Sequence, residues 1–298
     1  MSTAEGSERR AASTEALARA RLRRARGRMA VPAAAPGPSV AALIVAHNQA
    51  RRIAATVRAA LAIPGVDLVL VVDDASTDNT QELARRAGAV VVRHSHIRGR
   101  SAAVETGASV IAMRDEPERT PRAILILDPN LGHYAIGAAP LVPAVLEGVC
   151  DLAVALTDTQ AVAPGVPSKI ARTAVEKATG WSPRQPLGRI RCLTREALEV
   201  AMPLARGNGL EVAMTLDVLH AGLAITEVEC DIRHKGPSIE DRTPVGRANR
   251  YREVLTVVSA RRIRGRMQST RASMGQRLRP QRDEAAPVPE TMEPEEDS

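Results

Sequence analysis

The chain has 298 residues, 44% of them hydrophobic, and 41 Lys and Arg against 34 Asp and Glu for a formal charge of +7, enough length and apolar content to bury a sizeable core. No apolar run approaches the roughly eighteen residues that a bilayer span needs, and no charged-then-apolar leader pattern is seen, so the expectation is a cytoplasmic protein without a transmembrane segment. Phe is absent and aromatics make up 1% of the chain, which removes the stacking platforms that single-stranded nucleic acid requires.

Residues 1–38 read as a basic, disordered tail rich in Ala, Arg, Pro and Gly. Eight arginines against three glutamates give this stretch +5, and eight arginines against seven acids give residues 261–298 +1, leaving +1 of the formal +7 to the residues between. The positive charge therefore belongs mostly to the ends rather than to a basic face, which weakens a nucleic-acid reading, and no nucleic-acid partner is expected. Thr14 to Met29 has the composition of a basic helix with a thin apolar face; a solvated tail is the favoured reading, with peripheral membrane contact left open.

The folded part is expected over 39–262, divided into 39–157 and 158–262, with a second disordered tail over 263–298. Strands are predicted at Val40 to Ala46, Leu68 to Asp73, Ala89 to Val92, Ala123 to Leu127 and Leu152 to Leu156. Helices between them are predicted at Ala50 to Leu61, Thr80 to Ala87, Ser101 to Met113 and Ile136 to Glu147. Strand followed by helix, repeated, gives an α/β fold with a mostly parallel, Rossmann-like sheet and helices on both faces. The second half is rich in Pro and reads as an acceptor subregion, with helices at Lys169 to Thr179, Thr194 to Val200 and Leu210 to Ala221, a strand at Ala224 to Ile232, and a last helix at about Val245 to Arg262.

Cys150, Cys192 and Cys230 are odd in number, widely spaced and set in apolar segments, which fits small core residues and neither a disulfide framework nor a zinc site.

Polar groups stand where strands end. Open α/β sheets bind ligands outside the carboxyl ends of their strands. The second strand is apolar until it stops at Asp73, Asp74 and Ser76, which either line a ligand edge or satisfy a loop and cap the next helix. The first strand ends in Ala46, His47, Asn48 and Gln49 on the same edge. Asp128 and Asn130 follow the fourth strand at a spacing that lets a carboxylate and an amide oxygen reach one hard cation, although Asp-Pro-Asn is also good turn chemistry. Arg98, Gly99 and Arg100 precede the third helix, where backbone N–H groups and a guanidinium could share an anion.

In order along the chain these segments resemble the GT-A glycosyltransferases of family 2 and their relatives, the glucosyl-3-phosphoglycerate synthases, from about Val40 to Arg262. Val45-Ala46-His47-Asn48-Gln49 is similar to Pro-Ala-Tyr/Leu-Asn-Glu, and Val72-Asp73-Asp74-Ala75-Ser76-Thr77-Asp78 to Val-Asp-Asp-Gly-Ser-Thr-Asp. Gly99-Arg100-Ser101-Ala102-Ala103 resembles Gly-Lys-Gly-Ala-Ala, and Asp128-Pro129-Asn130 stands where Asp-X-Asp belongs. Gln185 to Arg191 resembles the Pro-Leu-Ser-Gly acceptor loop, and Gly207-Asn208-Gly209-Leu210-Glu211 the Gly-Tyr-Gly-Val-Glu segment.

The resemblance implies a hexosyltransferase using a UDP-sugar, UDP-glucose first, and a small or lipid-borne phosphate acceptor. It assigns the nucleotide-sugar to Ala46, Asn48, Gln49, Asp73, Asp74, Ser76 and Arg100, and the acceptor to Gly188, Arg189 and Arg191. A Mg²⁺ or Mn²⁺ cofactor would be held by Asp128, Asn130 and His234, with Glu211 and Asp128 as catalytic residues. A homodimer is left open. Three departures point together: Gln49 for Glu, Asn130 for Asp, and Gly188-Arg189-Ile190 for Ser-Gly-Glu/Gln. They keep a second reading alive, a catalytically impaired homologue that binds nucleotide-sugars or acts as a scaffold.

Overall fold

The first strand, β1 (Val40–Ala46), is apolar on both faces and buried along nearly its whole length. The computed structural model describes residues 37–157, 166–233 and 252–261. Residues 1–36 of the expected 1–38 tail, the expected tail over 263–298, the N-terminal basic helix, His234 and the first part of the last predicted helix lie outside the described residues.

After β1 come α1 (Ile53–Leu61), β2 (Val66–Asp73), α2 (Thr80–Arg86), β3 (Val90–Arg93), α3 (Arg100–Ala112) and β4 (Ala123–Leu127). A 3-10 turn over Gly132–Ala138, α4 (Leu141–Leu146), β5 (Leu152–Thr157), α5 (Val166–Thr179) and β6 (Arg191–Leu193) follow. The described chain closes with α6 (Arg195–Ala201), α7 (Leu210–His220), β7 (Ile225–Cys230) and a helix over 252–261, α8. Where one helix is predicted over Ile136 to Glu147, Pro140 separates the 3-10 turn from α4, because proline has no N–H to give and its ring clashes with the preceding turn.

Among the described residues seven strands form one sheet in the order β3-β2-β1-β4-β6-β5-β7. All neighbours are parallel except β6, which runs antiparallel to β4 and to β5. Parallel strands covered on both faces need apolar side chains in both directions, and alternate residues of β1 supply them. Val40, Ala42, Ile44 and Ala46 pack with Ile53, Val57 and Ala60 of α1 and with α4. Ala41 and Leu43 face Ala103, Val104, Ala108 and Ile111 of α3, with α6 and α7 beyond. Each such Val, Leu or Ile contributes about 1.5–3 kcal/mol when taken fully out of water. A third cluster joins α5, α7 and α8 through Val175, Val212, Leu216, Val254 and Val258.

α3 lies close against β1 because residue 107 is glycine. A Cβ at Gly107 would come within 2.3 Å of Leu43 Cδ1. At the amino edge of the sheet Arg122 Nε donates to Asp67 at 2.8 Å and its Nη1 to Asp115 at 3.0 Å, while Arg195 donates to Asp115 at 2.6 Å. That network ties the starts of β2, β4 and α6 to the end of α3, and the hydrogen bond to Asp67 leads the effects that raise the Arg122 pKa.

The three cysteines are buried and form no disulfide with one another. Burial pushes the Cys230 thiol up to about 12 and the Cys192 thiol higher still, so both stay protonated packing groups. Among the described residues no helix is long and apolar enough to cross a membrane.

Candidate active site

Strand register brings the polar ends together. Ala46 pairs with Asp73, Asp73 with Arg93, and Ile44 with Leu127, so the β1, β2, β3 and β4 exits open on one edge. Because β6 runs the other way, its first residue, Arg191, reaches the same edge beside Ile126 and Val154. The starts of α3 and α7 deliver Arg100 and Glu211 there.

The β1 and β2 exit loops are laced to each other. Asn48 N–H donates to Ser76 Oγ at 3.0 Å, and Asn48 Oδ1 accepts from Thr77 N–H at 2.8 Å. Gln49 N–H donates to Thr80 Oγ1 at 2.7 Å and Ala50 N–H to Asp78 Oδ2 at 3.1 Å. Asp78 also accepts from Thr80 N–H at 3.0 Å, and the N-cap position of α2 is Asn79. Asn48 and Ala75 both take positive φ, 51° and 59°, which asparagine tolerates and alanine adopts at a cost of about 1–2 kcal/mol.

Asp73 is fully buried; Oδ1 accepts from Ser76 N–H at 3.0 Å, whereas Oδ2 has no hydrogen-bond partner among the described residues. Arg93 Nε stands 3.6 Å from that oxygen. Asp74 is committed to the loop ahead of α3: it accepts from Arg98 N–H at 2.9 Å, Gly99 N–H at 2.8 Å and the His94 ring at 2.8 Å. Burial alone would raise its pKa; the two N–H donors and His94 outweigh that and hold the carboxyl below the usual range. The N–H groups of Arg98 and Gly99, expected to offer an anion site, are therefore already engaged by a carboxylate of the protein.

His94 and Thr106 escaped the sequence reading. His94 is buried, with one ring nitrogen on Asp74 and the other 3.0 Å from Thr106 Oγ1 of α3. No ligand spacing marked it, yet it directly follows β3, and its place after a strand of this sheet was the available signal.

Two ion pairs cross the mouth of the edge. Arg100 Nη1 stands 3.1 Å from Glu211 Oε1 and Arg189 Nη2 3.3 Å from Asp128 Oδ1. Arg100 Nη2 also donates to the Arg189 carbonyl at 3.0 Å, while its Nη1 is buried without a well-directed hydrogen bond. Burial and the Arg189 guanidinium lower the Arg100 pKa against the opposing pull of Glu211 and Asp128. Two guanidiniums thus lie close enough to repel, with one carboxylate apiece, an arrangement that an added anion would relieve.

Arg191 does not face this opening. It is 2% exposed, its Nε donates to the Gly188 carbonyl at 2.7 Å and its Nη1 to Thr215 Oγ1 at 3.0 Å. Burial lowers its pKa to about 10, partly offset by Glu211. The resemblance sets Arg191 on the acceptor; the structure puts it beneath the 188–190 loop, because it is the first residue of a strand inserted between β4 and β5. Gly188 lets that loop close on β5, since a Cβ there would lie 2.8 Å from Val154 Cγ1.

Asp128 is buried at the end of β4, and the loop after it is anchored through backbone carbonyls: Thr56 Oγ1 donates to Pro129 at 2.8 Å and Arg52 to Asn130 at 2.9 Å. No three His, Cys, Asp or Glu side chains gather for a metal among the described residues. A carboxylate and an amide two residues apart are hard oxygen donors, which fits a Mg²⁺ or Mn²⁺ that shares its shell with diphosphate and water rather than an all-protein cage.

Residues 41–113, the stretch that builds the β1, β2 and β3 exits, match the family model for glycosyl transferase family 2. Among curated proteins, no sequence matches the chain. The solved structures it resembles include glucosyl-3-phosphoglycerate synthase from Mycobacterium tuberculosis with Mn²⁺, UDP and phosphoglyceric acid, at 20% identity over 76% of this chain and 78% of that one, with a TM-score of 0.61. The same enzyme with Mn²⁺, UDP-glucose and phosphoglyceric acid matches at 21% identity over 76% and 80%, TM-score 0.61. A further crystal structure of it matches at 23% identity over 76% and 81%, TM-score 0.59. The chain has the α/β, Rossmann-like GT-A fold of the glucosyl-3-phosphoglycerate synthases, and its residues 41–113 match the family model for glycosyl transferase family 2.

Proposed function

We propose that the protein is a hexosyltransferase that moves glucose from UDP-glucose to a small acceptor bearing a phosphate. The observation that carries the reading is the pair of mutually repelling guanidiniums, Arg100 and Arg189, each balanced by one carboxylate at the carboxyl edge of a sheet whose residues 41–113 match the family 2 model. Such an edge suits two anionic ligands, a donor diphosphate and an acceptor phosphate.

In this reading the nucleoside lies over Ala46, Asn48, Gln49 and Ser76. Asp73, whose Oδ2 lacks a hydrogen-bond partner, supplies an acceptor for the base after a small loop movement, and Asp74 builds the site by holding the 98–99 loop. Arg100 meets the diphosphate and stabilises the charge that develops on departing UDP. Glu211 aims Arg100 and, through its remaining lone pairs, orients the acceptor hydroxyl. Arg189 and the Gly188 backbone take the acceptor phosphate, with Arg191 fixing the loop from below. Asp128, with Asn130 and His234, would hold Mg²⁺ or Mn²⁺, which supplies Lewis-acid neutralisation of the leaving diphosphate.

Incubation with UDP-glucose, Mn²⁺ and 3-phosphoglycerate tests the proposal by UDP release. Turnover that Asp128→Asn and Arg100→Gln each reduce by about a hundredfold is expected, the scale of removing one preorganised charge-stabilising group. Absence of turnover across UDP-sugars and across phosphoglycerate and polyprenyl phosphate would defeat it. Asn130 in place of a carboxylate favours one alternative, a nucleotide-sugar-binding homologue without transfer; there UDP-glucose binds without turnover, and Asn130→Asp with Gln49→Glu creates activity.

A further inference from the structure

Arg189 is nearly half exposed, at 45% of its side chain, yet its guanidinium lies on a carboxylate only 6% exposed. A long cationic side chain loses rotamer freedom in such a pose, and the nearby Arg100 opposes it electrostatically. The pose is held by Asp128, whose carboxylate is also the strongest candidate cation ligand among the described residues. A divalent ion and a guanidinium compete for the same oxygens, and bringing +2 beside +1 is unfavourable until negative charge arrives.

We propose that Arg189 is a latch on Asp128: in the ligand-free protein it shields the carboxylate from divalent cations, and a phosphate-bearing ligand opens the site by drawing the guanidinium away. The proposal rests on the reading of Asp128 as a cation ligand. It deepens that reading by making cation and anion binding cooperative through one side chain. Linkage makes this reciprocal: whatever the anion does for the cation, the cation does for the anion. The flanking contacts suit a moving group. Arg189 is anchored by its backbone, where its carbonyl accepts from Arg100 at 3.0 Å and where Arg191 holds the adjoining Gly188 carbonyl at 2.7 Å. The guanidinium can therefore swing while the loop stays in place.

The test is Mn²⁺ binding, read by electron paramagnetic resonance of free Mn²⁺, on wild type, Arg189→Gln and Asp128→Asn. With Mn²⁺ alone, Arg189→Gln should bind about tenfold more tightly than wild type, within the usual range of coupling between sites, and Asp128→Asn should lose this binding. Adding 3-phosphoglycerate or UDP separately identifies the source of the phosphate. The arm that opens the latch tightens Mn²⁺ more in wild type than in Arg189→Gln. Equal Mn²⁺ affinity in wild type and Arg189→Gln, or Mn²⁺ binding to neither, overturns the proposal. The metal-only arm contains no nucleotide, so it decides the latch even where UDP fails to bind, a result that would count against the transferase reading instead.

Discussion

Asp74 shows how a residue that looks like a ligand group can serve a site indirectly. Its carboxylate gathers two backbone N–H groups and His94, and so fixes the loop that presents Arg100. Asp74→Asn keeps one acceptor oxygen and loses the charge, and should lower stability by about 2 kcal/mol at neutral pH, as expected for a charge-assisted buried bond. Because the folded pKa is depressed, the stabilisation is present above the unfolded value of about 4 and is lost as pH falls through the folded value. Urea denaturation across pH should therefore show wild type and variant converging in acid. At Ala75, the φ of 59° makes glycine the better residue. Ala75→Gly should raise stability by about 0.5–1 kcal/mol, the αL cost of alanine less the extra chain entropy of glycine, read as a higher urea midpoint. Residue identities at strand ends were legible in the sequence, but their partners were not. Nothing in the spacing shows that Asp128 is covered by a guanidinium sixty-one positions later, or that Arg191 is buried.

At the scale of elements, β1 and β4 were read with their observed limits because each is an apolar run between clear turn residues. β6 has no signal in the sequence, because three residues carry no period; only its first residue, Arg191, falls in the stretch that resembles the acceptor loop. Its insertion is what turns Arg191 inward and brings Gly188 and Arg189 to the edge. The split of the predicted Ile136 to Glu147 helix was signalled by Pro140. Two substitutions test how elements hold together away from the site. Gly107→Ala forces a methyl against Leu43 and should cost about 1–3 kcal/mol, the range of overpacked cores. Asp115→Ala strips the shared carboxylate from Arg122 and Arg195, each 13–16% exposed, and should cost about 2 kcal/mol, less than a fully buried pair. Both would appear as lower urea midpoints. Asp115→Ala should leave nucleotide binding unchanged, since it lies at the opposite edge of the sheet.

For the whole molecule, one strand order explains where chemistry can occur. Four parallel exits, one antiparallel strand and two helix starts converge on one edge, while the ion network around Arg122 closes the other. The fold class was legible because strand and helix alternate, and the family resemblance followed from motifs in order. The cation site was legible as residue types alone: Asp128 is paired with Arg189, and His234 lies outside the described residues. The central claim is that this edge binds a nucleoside diphosphate through Arg100 with help from Asp128. Titration calorimetry of UDP, with and without Mn²⁺, tests it most directly. UDP should bind wild type, more tightly with Mn²⁺, with Asp128→Asn removing the Mn²⁺ effect and Arg100→Gln weakening binding about tenfold or more. UDP heats indistinguishable from dilution, with and without Mn²⁺, would contradict it.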